Sequence, residues 1–335
     1  MNPTAIIPGF PALVREFFCQ RLIAQQNASA RTVASYRDMF RLLLHFFADR
    51  QGRPPTSLTL VDLDAPAILA FLDHLERERG NSIPTRNVRL AALRSFLKYA
   101  AARDPTCLPA VQRVLAIPTK RSVRPLLGYL SREEMAAILA APDATTWSGQ
   151  RDRVLFALMY NTGARVSEAI GLRRANVTLS PSRTVRIDGK GRKQRVIPLW
   201  GSTADCLRKW LPRIGQEPES PLFPNAHSGS MSRSGVEHRL DEAVQAAAVR
   251  CATLKGRRIS PHTLRHTTAM HLLQSGVDLT VIAIWLGHES TATTHIYVEA
   301  DLAMKEKALS RIEEMPGLPL RYRPDDQLLR FLDGL

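Results

Sequence analysis

The run Ser260–Tyr297, SPHTLRHTTAMHLLQSGVDLTVIAIWLGHESTATTHIY, constrains this chain more than any other stretch. Pro261 suits the first position of a helix, and Ser260 before it suits the cap. His262, Arg265 and His266 then fall at i, i+3 and i+4, on one side of that helix. A second apolar run, VDLTVIAIWL, stops at Gly287, a residue fitted to the left-handed position after a helix end. His288 follows, and Ser290 can cap a third short helix carrying Tyr297. In one unbroken helix those two residues would stand roughly 13 Å apart, too far to touch one small group. The break at Gly287–Ser290 is what lets them converge.

A histidine or tyrosine alone on a helix is ordinarily a half-buried core residue, so the chemistry rests on the cluster. His262 and His266 have the i, i+4 spacing of a zinc-binding helix, but that motif needs Glu after the first His, and Thr263 stands there with the cation Arg265 close by. No metal is expected. Cations and neutral donors around a phenolic hydroxyl suit a phosphodiester, which is anionic and gains charge on its equatorial oxygens during displacement.

The rest of the chain supplies the setting. At 335 residues it is long enough for two cored domains, and 44% hydrophobic with 23% charged residues is ordinary for a globular protein. A formal net charge of +15 is not, and it points to a polyanionic partner. Cys19, Cys107, Cys206 and Cys251 form no CxxC pair, which speaks against a zinc knuckle or disulfide framework and for a reducing compartment. No secretory leader or membrane-length apolar run is apparent, so a cytoplasmic location and no membrane partner are expected.

Residues 10–104 read as four helices, with Leu13, Phe17 and Phe18 in the first and Ser29 opening the second. Pro66 and Pro84 open the third and fourth. Up to Val114 this part holds 15 Lys and Arg against 9 Asp and Glu. Arg86, Arg89 and Arg94 lie along the fourth helix, either lining a polyanion or facing solvent. Residues 117–127, bounded by Pro118 and Pro125, read as an extended linker whose Lys120, Arg121 and Arg124 either cross phosphates or are simply solvated. The expected division is 9–115 helical domain, 116–127 linker, 128–310 second domain and 311–335 tail.

In the second domain Ser131-Arg132-Glu133-Glu134 is a capping box, and Asn161-Thr162-Gly163 ends the helix over 153–160. Arg165 and Glu168, at i and i+3 on a short helix, are equally readable as an ion pair or as site residues. A hairpin follows, with strands at 184–188 and 193–199 and a Gly189-Lys190-Gly191 tip. Lys190 there, on a glycine-flanked tip that can move toward a ligand, is either a nonspecific basic patch or a catalyst, and no phosphate-cradling GxxxxGK[ST] loop is present. Helices are read around 203–214 and 234–249. The tail, with four Arg against five acidic residues and an apolar LLRFL, is either a protein-docking helix or packs on its own domain.

Together TGARVSE (162–168), GKGRKQR (189–195), HTLRH (262–266), LGH (286–288) and HIY (295–297) resemble the tyrosine recombinases, or phage integrases, with the Xer-like bacterial branch nearest. Five modest motifs in family order make the resemblance specific, and it covers nearly the whole chain. It implies a mostly α fold with a small β-sheet or hairpin in the C-terminal domain: a helical core-binding domain and an α+β catalytic domain. It implies catalytic roles for Arg165, Lys190, His262, Arg265, His288 and the nucleophile Tyr297, with Glu168 in support. It further implies cleavage and rejoining of double-stranded DNA through a 3′-phosphotyrosyl link without ATP or metal, leading to integration, excision, transposition or dimer resolution. The expected assembly is a tetramer on two duplexes that exchanges its tails, with a related recombinase or accessory DNA-binding protein as a further partner. Ala164, where the family usually has a larger aliphatic residue, and Met270-His271 are departures that remove no reactive group. Two rivals are a type IB topoisomerase, which usually has lysine where His262 stands, and a noncatalytic DNA-binding module, against which all six reactive positions being filled argues.

Overall fold

A computed structural model describes residues 9–122, 128–189 and 193–288. The chain divides into two compact units, with the division between Pro125 and Leu126.

The first unit is helical: α1 (Phe10–Glu16), α2 (Ala30–Gln51), α3 (Ala65–Arg77), α4 (Ile83–Arg103) and α5 (Leu108–Leu115). Each of three helices is opened by a side chain that accepts from a backbone N–H of the first turn: Ser29 from Thr32, Asp64 from Ala67, Ser82 from Thr85. α1 runs on into a π-helical stretch, Phe17–Gln25. Its wider turn brings Phe17 and Leu22, five residues apart, into the same core. Phe17, Phe40 and Phe96 form the centre, with Phe96 edge to face with both others and its centroid 5.0 Å from that of Phe40. The four expected helices are present. α5 is additional: Pro105 and Pro109 hide it in sequence, while Val111 and Val114 at i, i+3 bury it.

The second unit is α6 (Arg132–Ala140), α7 (Trp147–Thr162), α8 (Val166–Gly171), β1 (Val177–Thr178), β2 (Thr184–Asp188), β3 (Gln194–Pro198), α9 (Gly201–Trp210), α10 (Arg233–Ala248), α11 (Pro261–Gln274) and α12 (Leu279–Leu286). Ser131 and Glu134 close the capping box on α6. The strands form one antiparallel sheet in the order β1-β2-β3, the expected hairpin with a short third strand added. Ile187 pairs with Arg195 and Val185 with Ile197, so these four share a face. Val185, Ile187 and Ile197 on that face are buried in the core, while Val196 points outward at 61% exposure. Among the described residues no helix is long and apolar enough to cross a membrane.

Candidate active site

Three helix ends meet around Arg265. α7 stops at Gly163, whose φ of 61° is left-handed, and a Cβ there would stand 2.4 Å from Leu286 Cδ2. α12 stops at Gly287 in the same way, at φ 66°. Arg265, one turn into α11 and only 2% exposed, donates from Nη1 to the Gly163 carbonyl at 2.6 Å and from Nη2 to the Leu286 carbonyl at 2.7 Å. It thereby ties the negative C-terminal ends of two helices to the start of a third. Ser260 caps α11 as its sequence requires, accepting from the Thr263 N–H.

Glu168 makes a second focus. Its carboxylate accepts from the Arg165 backbone N–H at 2.9 Å, Arg165 Nη1 at 2.8 Å and Arg195 Nη2 at 2.7 Å. Burial pushes its pKa up, but the Arg195 bond and charge, with the bonds from Arg165, outweigh that and hold the carboxyl below its ordinary value. Arg165 and Glu168 are thus an ion pair, yet the Arg165 side chain stays 39% exposed. It is the open member of the cluster.

The histidines respond to these cations. His288 is half-buried, its backbone N–H bonded to the Ala283 carbonyl, and desolvation together with Arg265, Arg165, Arg195 and His262 lowers its pKa to about 4. His262 has an exposed edge, but desolvation of the rest and the charges of Arg265, Arg165 and Arg233 lower its pKa as well. Both shifts favour the neutral imidazole. Three guanidiniums then stand against one carboxylate, leaving positive charge where an anion would bind.

Arg165, Glu168, His262, Arg265 and His288 are therefore gathered by the fold, from α8, α11 and the turn after α12. Lys190 and Tyr297 lie outside the described residues, as does Arg124. The hairpin closes just below its tip, with the Gly189 N–H on the Lys193 carbonyl at 2.7 Å. His266, unlike His262, is buried, at 1% exposure. Among the described residues no group of three or more His, Cys, Asp or Glu could hold a metal.

The candidate DNA contacts of the first unit are arranged differently. Arg86 is not on an open face: it is 2% exposed, with Nε 2.8 Å from a Glu76 carboxylate oxygen. Arg89 donates to the Ser35 carbonyl and Arg94 to the Ile117 carbonyl. Lys120 is exposed and pairs with Glu76 at 2.9 Å, and Arg121 is exposed. The i, i+3 and i+8 spacing on α4 could not distinguish a guanidinium aimed outward from one tying two helices.

Arg195 is the site residue that sequence reasoning missed. It was visible inside GKGRKQR, and the alternation of β3 sets it on the face of Ile197, but Val196 on the other face leaves the sequence silent on which of the two is buried. A cavity of about 720 Å³ between Trp147, Arg213, Asn225 and Arg239 lies apart from this cluster. Its Arg151 and Arg239 are already bonded to Asp152.

Comparison with known proteins gives the class. Residues 128–304 match the phage integrase family and residues 16–104 its N-terminal SAM-like domain. A putative integrase/recombinase, y4rC, of Sinorhizobium fredii is 47% identical over 323 residues, 96% of this chain and 97% of that one. The tyrosine recombinase XerD of Pseudomonas aeruginosa is 36% identical, over 68% of this chain and 76% of its own. A XerH site-specific recombinase bound to its difH substrate shares the fold at TM-score 0.66 and 23% identity, over 85% of this chain and 81% of that one. The chain belongs to the phage integrase family. It is a tyrosine-type, Xer-like site-specific recombinase.

Proposed function

We propose that this protein cuts and rejoins double-stranded DNA with Tyr297 as nucleophile and Arg165 and Arg265 as the phosphate's counter-charges. The observation carrying this is the gathering of Arg165, Arg195, Arg265 and His262 near His288, with Glu168 the carboxylate that Arg165 and Arg195 share. In the proposed step the Tyr297 hydroxyl oxygen attacks phosphorus and the bond from phosphorus to the 5′-oxygen breaks. The phenolic proton passes to a neutral imidazole, His262 or His288, and Lys190 supplies a proton to the departing oxygen. Charge building on the nonbridging oxygens is met by the arginines. The 3′-phosphotyrosyl link keeps the phosphodiester energy, so the 5′-hydroxyl of a second strand reverses the step without ATP.

The Xer-like class supports a homo-oligomer working on two duplexes, and one relative in fold is a lambda integrase tetramer bound to a Holliday junction. We accordingly infer a tetramer, a tail at 311–335 that docks between protomers, and a cytoplasmic location with the DNA. Integration, excision, transposition and dimer resolution all use this chemistry.

The test is trapping on nicked suicide substrates cut from the DNA flanking the gene. A denaturant-resistant protein–DNA band that disappears in Tyr297→Phe, with duplex binding kept, is expected. A band that persists in Tyr297→Phe reassigns the nucleophile.

A further inference from the structure

β3 breaks the usual rule of apolar in and polar out. Val196 points outward while Arg195, its neighbour, stands on the core face with a side chain only 10% exposed. Burying a guanidinium is costly unless it is well paired, and here it is paired twice. Nη2 meets Glu168 at 2.7 Å and Nε donates to the Trp285 carbonyl at 3.0 Å. The side chain passes so near the turn that a Cβ on Gly287 would lie 3.0 Å from its Nη1. The far end of β3 is anchored as well: buried Asn161 donates to the Pro198 carbonyl and accepts from the Trp200 N–H, and the Trp285 indole N–H reaches the Asn161 carbonyl.

Resting on the function proposed above, we propose that Arg195 is a positioning residue for strand cleavage: by sharing the Glu168 carboxylate it keeps Arg165 positive toward the phosphate, and by holding the Trp285 carbonyl it fixes the turn that presents His288. The argument is one of charge. Glu168 opposite Arg165 alone would cancel the one guanidinium that stays open. A second guanidinium on the same carboxylate restores the surplus, and it does so from the core side, where it cannot itself occupy the substrate's place. The same side chain fills the space over Gly287, so the site's field and the direction of His288 depend on one residue.

The experiment uses the full chain on suicide substrates containing the trapped crossover site, with single-turnover cleavage and duplex Kd measured for wild type, Arg195→Met, Arg195→Lys, Glu168→Gln and the Arg195→Met/Glu168→Gln pair. Arg195→Met is expected to cleave about 10- to 100-fold slower with Kd within about threefold. The double variant is expected to cleave at least about fivefold faster than Arg195→Met alone, because the uncompensated carboxylate has gone. A double variant no faster than Arg195→Met overturns the charge-sharing role, and Arg195→Met cleaving at the wild-type rate overturns the whole proposal. Should Arg195→Met fail to fold, Arg195→Lys decides. It keeps the charge but not the fork, so it is expected to cleave about threefold to tenfold slower with the acid side of its pH profile unmoved; wild-type cleavage by Arg195→Lys overturns the proposal. Wild type that forms no adduct removes the underlying functional reading instead, and all Arg195 effects are read as ratios to wild type.

Discussion

Arginines serve the two units in opposite ways. In the first, Arg86, Arg89 and Arg94 each reach one or two neighbours, a carboxylate of Glu76 or a carbonyl of another segment, and the charge is spent on holding α4 to what surrounds it. In the second, Arg165 and Arg195 share the Glu168 carboxylate, while Arg195 and Arg265 donate to carbonyls at the ends of α7 and α12. Carbonyls satisfy donors without cancelling charge in both units, but only in the second does a guanidinium of the set, Arg165, keep 39% of its side chain exposed. What separates the two sets here is exposure: Arg86 is 2% exposed, whereas the Arg165 side chain is 39% exposed.

That contrast can be broken by experiment. The largest effect is expected at Arg165→Ala: cleavage falling about 10²- to 10³-fold with little change in thermal unfolding, read on suicide substrates. A loss of stability in place of activity would put Arg165 with the arginines of the first unit. The mirror case is Arg86→Ala, expected to lower unfolding free energy by roughly 2 kcal/mol in denaturant titration while the cleavage rate at saturating DNA stays within about threefold.

Next comes pH. His288 has a folded pKa of about 4 against an ordinary 6.5, so the unfolded chain takes up its proton first on acidification. The associated stability is present above pH 6.5 and is lost as pH falls toward 4, on the order of 1–2 kcal/mol between pH 7 and 5. Glu168, with its lowered pKa, adds a loss of the same sign at lower pH. His288→Gln should flatten the slope of unfolding free energy between pH 6.5 and 4, and an unchanged slope would show that the cations do not act on this ring. The smallest effect is expected from exposed Arg121→Ala: a drop of about one in the slope of log affinity against log salt, uniform across DNA sequences. No change there would leave the residues before the division as a solvated connector.

Much of this was readable before any fold was known, and the reasons are local. Caps at Ser29, Ser131 and Ser260 depend on one side chain meeting a backbone group a few residues away, and stops at Gly163 and Gly287 on a left-handed turn that glycine takes readily. Asp278, which caps α12 by accepting from the Thr280 N–H, is of the same kind and was passed over because the apolar run around it drew the eye. α5 and β1 were missed for a different reason. One is hidden among prolines and the other is two residues long, and both are held by packing that short windows do not contain.

The chain's order of residues therefore dictated the helices, the hairpin and which reactive side chains exist, because caps, periodicity and turns act over a few residues. Only the tertiary structure decided which arginines share a carboxylate, which histidines stay neutral and which face of β3 is buried. Charge effects and desolvation depend on distances of a few ångströms between segments far apart in sequence: Glu168 with Arg195, Gly163 with Arg265, Arg195 with Trp285. No pattern along one segment encodes those separations.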